Sequence, residues 1–154
     1  MKKNKINDVS LLTVIKPYNG KIIKIEEGSY KKQGKYPIIS QEKEFISGFT
    51  NLTPIDERKP FIIFGDHTCI VKYVDFPFCQ GADGIKIFEA NTNDNFKFIY
   101  YMFNEKKPNT NKYQRHGKYL PDVKIPMVNI LEQDEYVKRL DSLYNEIDLL
   151  KKEI

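Results

Sequence analysis

Residues 60–88 constrain the fold of this chain most, because they hold its densest run of apolar residues. Apolar segments at residues 61–64 and 69–74 flank a short polar break at residues 65–68, and a third segment follows at residues 84–88. β-Branched and aromatic residues bounded by Gly and Asp suit a pleated, half-buried surface. The stretch therefore predicts three strands joined by tight turns, onto which the rest of the chain is expected to pack.

Charge is unevenly distributed along the 154 residues, a length that suits one domain with a core and an appendage. The chain has 25 basic and 21 acidic side chains, but residues 132–154 hold seven acidic and four basic ones, a balance of −3 that leaves +7 on the rest. A basic body with an acidic tail is typical of a polyanion-binding domain with a separate assembly element. A Lys-rich genomic composition produces the same numbers, so charge alone leaves both interpretations open.

Cysteine usage and hydropathy indicate the cellular setting. Cys69 and Cys79 are the two cysteines, and their apolar or aromatic neighbours predict buried thiols in a reducing compartment. No segment approaches the roughly 18 consecutive apolar residues of a membrane helix, and the basic N-terminus lacks the apolar segment of a signal peptide. We therefore expect a cytoplasmic protein with no membrane contact.

Three short segments precede the apolar stretch. Residues 11–15 predict a strand or a turn of helix, and the alternating Lys and Ile of residues 21–25 predict a short strand. Residues 36–40 predict another strand, in which Pro37 indicates an edge or strand-entry position because it lacks an amide donor. Residues 40–51 predict a long polar loop, and such loops are often functional.

Two helices are expected in the second half of the chain. Residues 96–103 are almost entirely apolar and favour a buried helix over a buried strand, with an Asn or Asp just before them as cap. A longer helix begins near Asn129, where Asn129 and Glu132 resemble a capping box. A helix of about 25 residues would be roughly 37 Å long, more than this domain needs for its own core, which implies a partner helix. A terminal helix folded back on its own domain is the alternative.

Apolar residues of this last helix recur mostly at spacings of three and four, as in a coiled coil. Ile130 and Ile154 extend the stripe, and Leu143 and Leu150 lie beside it. The residues expected to mediate dimerisation are Val137, Leu140, Tyr144 and Ile147.

Residues 111–120 combine three basic side chains with a His, a Gln and two Tyr. Arg and Gln offer the paired hydrogen-bonding groups that read guanine and adenine edges in a major groove, whereas Lys contacts phosphates. The segment therefore suits contact with DNA. A solvated loop beside a sheet edge is the alternative.

The sequence offers little support for catalysis. Asp66, His67 and Cys69 are close in sequence, but neighbouring residues point different ways and a nucleophile needs its base within hydrogen-bond reach. The His and Cys residues lack the spacing of a zinc site, and the glycine-rich phosphate loops are absent. We expect a binding protein that is not an enzyme and uses no cofactor or metal. A hydrolase using His67 or Cys69 is the alternative.

Three groups of segments, in this order, resemble the specificity subunit of type I restriction-modification systems, over roughly residues 20–154. They are G-K-Y-P-I-I-S at residues 34–40 with S-G-F-T at 47–50; F-I-I-F-G-D-H-T at 61–68 with F-P-F at 76–78 and A-D-G at 82–84; and Y-Q-R-H at 113–116 leading through I-P at 125–126 to L-E-Q at 131–133. The family's usual I-P-L-P-P-L entry to the helix is here I-P-M-V-N-I. Two prolines are missing, so the helix is expected to start about a turn differently.

The resemblance implies an α+β fold, in which a target-recognition domain with a curved, mixed or antiparallel β-sheet and short helices occupies residues 1–126. A long coiled-coil helix for dimerisation or partner assembly occupies residues 127–154. In this family two such domains, held apart by paired helices, each read half of a split DNA site, and separate subunits methylate and cleave. One recognition domain implies either a half-subunit that pairs with itself or a fragment of a longer protein.

The expected function is sequence-specific binding of double-stranded DNA, directing a DNA methyltransferase (modification) subunit and a restriction/translocase subunit. Arg115, Gln114 and His116 are candidates for base edges, and Lys residues for phosphates. An adaptor module, whose helix recruits a protein partner and whose basic surface is incidental, is the alternative. The candidate DNA-binding residues are Ser40, Gln41, Lys43, Ser47, His67, Thr68, Lys72, Lys112, Gln114, Arg115, His116 and Lys118.

Overall fold

The computed structural model of the chain describes residues 6–55, 59–82, 84–109 and 114–153. Two short 3-10 helices, Glu27–Ser29 and Gly117–Asp122, accompany the strands and α-helices. Within these residues the strands are β1 (Asn7–Ser10), β2 (Ile15–Pro17), β3 (Tyr36–Ile39), β4 (Gly48–Thr50), β5 (Phe61–Gly65), β6 (Val71–Val74), β7 (Cys79–Gln80), β8 (Ile85–Ala90) and β9 (Lys124–Met127). The α-helices are α1 (Leu11–Val14), α2 (Phe96–Lys106) and α3 (Ile130–Lys152).

The predicted strands of residues 60–88 form the centre of the fold. They are β5, β6 and β8, which together with β2 make an antiparallel sheet in the order β2-β8-β5-β6. β6 begins at Val71, two residues later than predicted, because Cys69 has a left-handed φ of 58° in the turn before it. The prediction that this stretch organises the molecule is confirmed.

Both faces of the central sheet are buried, because adjacent residues of a strand point to opposite faces. One face, which includes Ile62 and Phe64, packs with residues of α1, α2 and β9 in the larger core cluster. The opposite face, which includes Phe61 and Ile63, packs with Ile39 of β3 and other apolar residues. A polar side chain of these strands can therefore face a core on either side.

A second sheet, in the order β4-β3-β7, is mixed: β3 pairs antiparallel with β4 and parallel with β7. The prediction of one long loop over residues 40–51 is wrong, because residues 48–50 form β4 against β3. Pro37 is the second residue of the central strand β3, and the pairing with β7 begins at Ile38. Pro37, which has no amide donor, therefore lies near the start of the strand, as predicted. β3 is however the central strand of this sheet and not an edge strand.

The strand predicted at residues 21–25 is wrong. Only an isolated bridge joins Lys24 to Gln80, beside a hydrogen bond from Ile25 N to Gln80 O of 2.9 Å. β7 has two residues, so it offers too short a partner for a longer ladder. Ile25 is buried but Ile23 is half exposed, so the Ile residues do not share one buried face as they would in a strand.

The first helix, α1, realises the helical turn predicted as one option for residues 11–15, and β1 before it pairs antiparallel with β9. The predicted helix at residues 96–103 is confirmed as α2, which extends to Lys106. The Asn95 side chain caps α2 by accepting from the Phe98 amide at 3.1 Å. No helix of the described ranges is both long and apolar enough to cross a membrane.

The last helix, α3, has 23 residues and is about 35 Å long. The Asn129 side chain accepts from the Glu132 amide at 2.9 Å, as the capping box predicts. The Glu132 carboxylate accepts a hydrogen bond from the side-chain amide of Asn129, also at 2.9 Å, whereas in a standard capping box it accepts from the backbone amide. The first half of α3 packs on α2, whereas residues 142–150 are exposed.

Candidate nucleic-acid interface

Two loops that are distant in sequence meet at the turn between β5 and β6. The hydroxyl of Thr68 donates to the backbone carbonyl of Gln41 at 2.7 Å, and the backbone amide of His67 donates to Oε1 of Gln41 at 3.0 Å. Gly84, with φ of +100°, lies so close to the side-chain amide of Gln41 that a Cβ at residue 84 would collide with Nε2 of Gln41. Gln41, His67 and Thr68, predicted as separate DNA contacts, are therefore one cluster.

Asp66 joins a third segment to this cluster. Its carboxylate accepts from the Gly117 amide at 2.7 Å, and its backbone carbonyl accepts from the His116 amide at 2.7 Å. Its own amide donates to the Gly84 carbonyl at 2.7 Å. Asp66 is 8% exposed, so this carboxylate ties the turn and the segment around Arg115 together and is not presented to solvent.

A polar cleft of about 450 Å³ opens where these segments meet. Three exposed cations, Lys24, Lys86 and Arg115, line it. The cleft presents hydrogen-bond donors and positive charge together, the combination that contacts base edges and phosphates in DNA. The other residues lining it are Gln41, Asp66, His67, Gly84 and Ile85.

Lys24 and Lys86 are cleft residues that the sequence interpretation missed. Lys86 alternates with Ile85 and Ile87 on β8, so its outward position was readable once the strand was assigned. Lys24 carried no such signal, because it is placed by its bridge to Gln80 of β7, a strand that the sequence did not predict.

The predicted DNA-binding residues differ widely in accessibility. Four are exposed and four partly buried, which leaves them available at the surface. Three others are buried in the protein, and Lys112 lies outside the described residues. The exposed ones are Lys43, Thr68, Arg115 and Lys118; the partly buried ones are Gln41, Ser47, His67 and Gln114; the buried ones are Ser40, Lys72 and His116.

The three buried residues correct the sequence-based assignment. His116 is 1% exposed, with Nδ1 3.1 Å from the Asp66 carbonyl oxygen, so it does not reach a base edge. Ser40 is 5% exposed, and its hydroxyl lies 2.5 Å from that of Ser47. Lys72 is 4% exposed and donates within the protein, which removes it from the phosphate contacts. Burial lowers the pKa of Lys72 to about 8, against the opposing effect of nearby carboxylates.

The structure gives the hydrolase alternative no support. Cys69 is 7% exposed, and burial raises the pKa of its thiol, whereas a nucleophilic cysteine needs a lowered one. Burial also raises the pKa of Cys79. In the part of the chain that the structure describes, no group of three or more His, Cys, Asp or Glu side chains is placed to hold a metal ion.

α3 is attached to α2 by a polar and aromatic contact around Tyr101. The Tyr101 hydroxyl donates to the Asp141 carboxylate, which also pairs with Lys97 at 2.9 Å. The ring of Tyr144 stacks on that of Tyr101, with centroids 5.7 Å apart and planes 4° apart. Tyr144, expected on a dimerisation stripe, thus stacks on its own chain with one side while 47% of it remains exposed.

The other expected dimerisation residues divide along the helix. Val137 and Leu140 are partly buried, whereas Ile147 is 44% exposed. Several of the large apolar side chains that remain exposed on α3 follow a neighbouring heptad stripe. That stripe consists of Tyr136, Leu143, Ile147 and Leu150, with Leu140 at its remaining position.

The described residues thus form a basic cleft from loops on a sheet scaffold, with a helix attached to one side. The chain belongs to the type I restriction modification DNA specificity domain family, whose model matches residues 1–154. The family resemblance and the α+β fold expected from the sequence are thereby confirmed.

Individual relatives agree with this assignment. The type I restriction enzyme EcoR124I/EcoR124II specificity subunit of Escherichia coli is 29% identical over 121 residues, which are 68% of this chain and 30% of that protein. The crystal structure of a type I restriction-modification system S subunit from M. genitalium matches 99% of this chain and 44% of its own, with a TM-score of 0.68 and 19% identity. The crystal structure of an HsdS subunit from Thermoanaerobacter tengcongensis matches 96% of this chain and 39% of its own, with a TM-score of 0.60 and 15% identity. The chain thus spans less than half the length of each.

Proposed function

We propose that this chain recognises a specific sequence in double-stranded DNA, as a target-recognition component of a type I restriction-modification system. The observation that carries the proposal is the cleft in which Arg115, Lys24 and Lys86 surround Gln41 and His67, in a chain of the DNA specificity family. Because the polar groups come from five separate segments, their arrangement depends on the whole domain. Such a site can read several adjacent base pairs at once.

Within this proposal, the roles follow from chemistry and accessibility. Arg115 and Gln114 carry the hydrogen-bonding groups that read base edges, and His67 lines the cleft together with Arg115. Phosphate contacts are assigned to exposed lysines, since these supply positive charge without base readout. They are Lys24, Lys43, Lys86 and Lys118.

The proposed partners are double-stranded DNA, a DNA methyltransferase (modification) subunit and a restriction/translocase subunit. The body over residues 1–126 reads DNA, and the segment over residues 127–154 assembles the complex. This division is supported by the different surfaces of the two parts, a basic cleft on the body and an exposed apolar stripe on α3. The methylation and cleavage chemistry is assigned to the partner subunits.

We assign self-association of this chain to the exposed stripe of α3. Spacings of four and three residues alternate along this stripe, as in a coiled-coil seam. The positions are Tyr136, Leu140, Leu143, Ile147 and Leu150. This seam shares Leu140 and Ile147 with the one expected on the sequence. Tyr144 of the expected seam stacks on Tyr101, and Tyr136 of the exposed stripe meets Phe98 edge to face.

The adaptor alternative is not favoured, because the family match covers the body as well as the helix. A salt titration separates the two functions. Phosphate contacts make the logarithm of the affinity fall linearly with the logarithm of the salt concentration, by about 0.9 for each phosphate neutralised on B-DNA. An adaptor with an incidental basic surface shows no such DNA binding.

Arg115→Ala tests the proposal directly. The chain is assembled with a cognate modification subunit, and the methylated sites are sequenced. Loss of a base-reading arginine should cost about 1 to 3 kcal/mol and relax the preference at one base position. Lys118→Ala should weaken binding to all sequences alike.

Arg139→Ala is the matched control, because Arg139 is an exposed arginine on α3 that pairs with Glu135 at 3.4 Å. It should leave the base preferences unchanged. An unaltered methylation motif in Arg115→Ala would refute the assignment of Arg115. Absence of any preferred site with the wild-type chain would refute the proposed function itself.

A further inference from the structure

Lys72 is a lysine whose side chain points into an apolar core. It lies on β6 directly opposite Ile63 of β5, and such cross-strand neighbours share one face of a sheet. Its side chain therefore lies on the same face as Phe61, Ile63 and Val74, which pack towards the second sheet. Lysines are almost never buried to 4% exposure unless they are paired, so the position requires a partner.

The partners of Lys72 are two backbone carbonyls of one loop. Its Nζ donates to the oxygens of Ser40 and Glu44, at 2.7 Å in both cases. Both residues belong to the segment 40–47 between β3 and β4, which we call the recognition loop. This segment has no helix or strand of its own, so its carbonyls depend on other groups for hydrogen bonds.

The base of the recognition loop is closed independently of Lys72. The hydroxyls of Ser40 and Ser47 are 2.5 Å apart, and the Ser47 amide donates to the Ile38 carbonyl at 2.9 Å. Phe45 packs edge-to-face on Phe76, with ring centroids 5.8 Å apart. Lys72 therefore bonds to the loop at its base, through Ser40, and beyond that closure, through Glu44.

The opposite side of the recognition loop borders the cleft. Gln41 joins it to the β5–β6 turn through His67 and Thr68, and Lys43 is exposed two residues further along. The loop thus lies between the buried ammonium of Lys72 and the surface assigned to DNA. A change in the loop's position would move Gln41 and Lys43 together.

We propose that Lys72 is a positioning residue for DNA recognition, whose buried ammonium holds the recognition loop so that Gln41 and Lys43 meet the duplex. Lys72 touches no phosphate and acts only through the loop. This inference rests on the proposed function for its consequence in DNA binding, whereas the coupling between Lys72 and the loop stands on the geometry alone.

The proposal predicts that stability and recognition respond differently to the loss of Lys72. Burial of the ammonium opposes its charged state, as the lowered pKa of about 8 indicates. Replacing Lys72 by methionine removes the cost of burying a charge, which offsets part of the loss of its two hydrogen bonds. Methionine at residue 72 should therefore leave the fold intact while it releases the two carbonyls of the loop.

The experiment compares Lys72→Met with Lys43→Met in the full chain. Hydrogen exchange measured by mass spectrometry should be at least about tenfold faster over residues 40–47 in Lys72→Met, which should still unfold in one cooperative transition. Lys43→Met removes an exposed lysine of the same loop and should stay within about twofold of wild type there. Unchanged exchange in Lys72→Met would overturn the proposal.

The second readout uses DNA and the chain assembled with a modification subunit. Lys72→Met should broaden the base preferences at unchanged salt dependence, whereas Lys43→Met should lower the salt slope by about 0.9 and keep the preferences. A salt slope lowered by about 0.9 in Lys72→Met, with preferences kept, would identify Lys72 as a phosphate contact and overturn the proposal.

Two further outcomes are decisive. If the wild-type complex binds no DNA, the proposed function fails and the recognition role of Lys72 fails with it, while the exchange measurement still decides whether Lys72 holds the loop. If Lys72→Met does not fold, Lys72→Gln, which retains a neutral donor, is measured in the same way. Failure of both variants to fold contradicts the proposal, which requires the loop contact to be separable from the core.

Discussion

Gln133→Leu should detach the start of α3 from the body and lower the stability of the whole chain. Gln133 is 1% exposed, and its side chain bridges three segments. Its Oε1 accepts from the Asn95 amide at 2.7 Å, at the start of α2. Its Nε2 donates to the Asp94 carboxylate at 2.9 Å and to the Val128 carbonyl at 2.8 Å, just before α3.

The expected loss follows from these three bonds. Each of the two bonds to neutral backbone groups contributes about 1 kcal/mol, and the bond to the carboxylate about 1.5 to 3 kcal/mol. Leucine has a similar volume and returns about 1 kcal/mol through apolar burial. The free energy of unfolding should therefore fall by about 2.5 to 4 kcal/mol, a large part of the stability of an ordinary domain.

Urea unfolding followed by far-UV circular dichroism measures this change. Gln33→Leu is the matched control, because Gln33 is exposed and the same substitution there should stay within about 0.5 kcal/mol of wild type. The Asn95 amide should also exchange faster in Gln133→Leu. A loss below about 1 kcal/mol would refute the reasoning and assign the attachment of α3 to aromatic packing such as that of Tyr101 on Tyr144.

Two further predictions concern α3. Burial would raise the pKa of Asp141, but hydrogen bonds from Tyr101 and Lys97 outweigh it and hold that pKa below its ordinary value of 3.8. The stabilisation from the charged Asp141 is complete above its unfolded-state pKa and is lost as pH falls through its lower folded-state pKa. The difference in Tm between wild type and Asp141→Asn should therefore shrink in strong acid. A difference that stays the same at all pH values would contradict this prediction. Light scattering should show that Leu143→Asp is monomeric, because Leu143 lies on the exposed stripe. Wild type and Leu149→Asp should self-associate, because Leu149 is exposed but lies off that stripe. Equal masses for all three proteins would contradict this seam.

Local pattern was sufficient for the elements that carry their own signal. The apolar segments that became β5, β6 and β8 were assigned from composition and turn residues, and α3 from its spacing and the Asn129 cap. The basic loops were likewise recognised from residue type, so Arg115 and Gln41 were named before their contacts were known. In each case the preference lies in neighbouring residues and acts over a few positions.

The site needed the tertiary structure, because burial depends on what packs from elsewhere in the chain. Lys24 and Lys86 reach the cleft only after β7 and β8 are in place, and His116 is buried against the Asp66 carbonyl. A short β7 prevented a strand at residues 21–25 in spite of its alternating pattern.

Lys72 illustrates the division between sequence and structure. The residues around it determined that a strand would form there, and a lysine in a strand ordinarily faces water. Pairing with β5 and packing of the second sheet decided that both faces of this strand would be buried. The same charge that the sequence assigned to a phosphate therefore bonds to Ser40 and Glu44, because only the folded chain brings their carbonyls within reach.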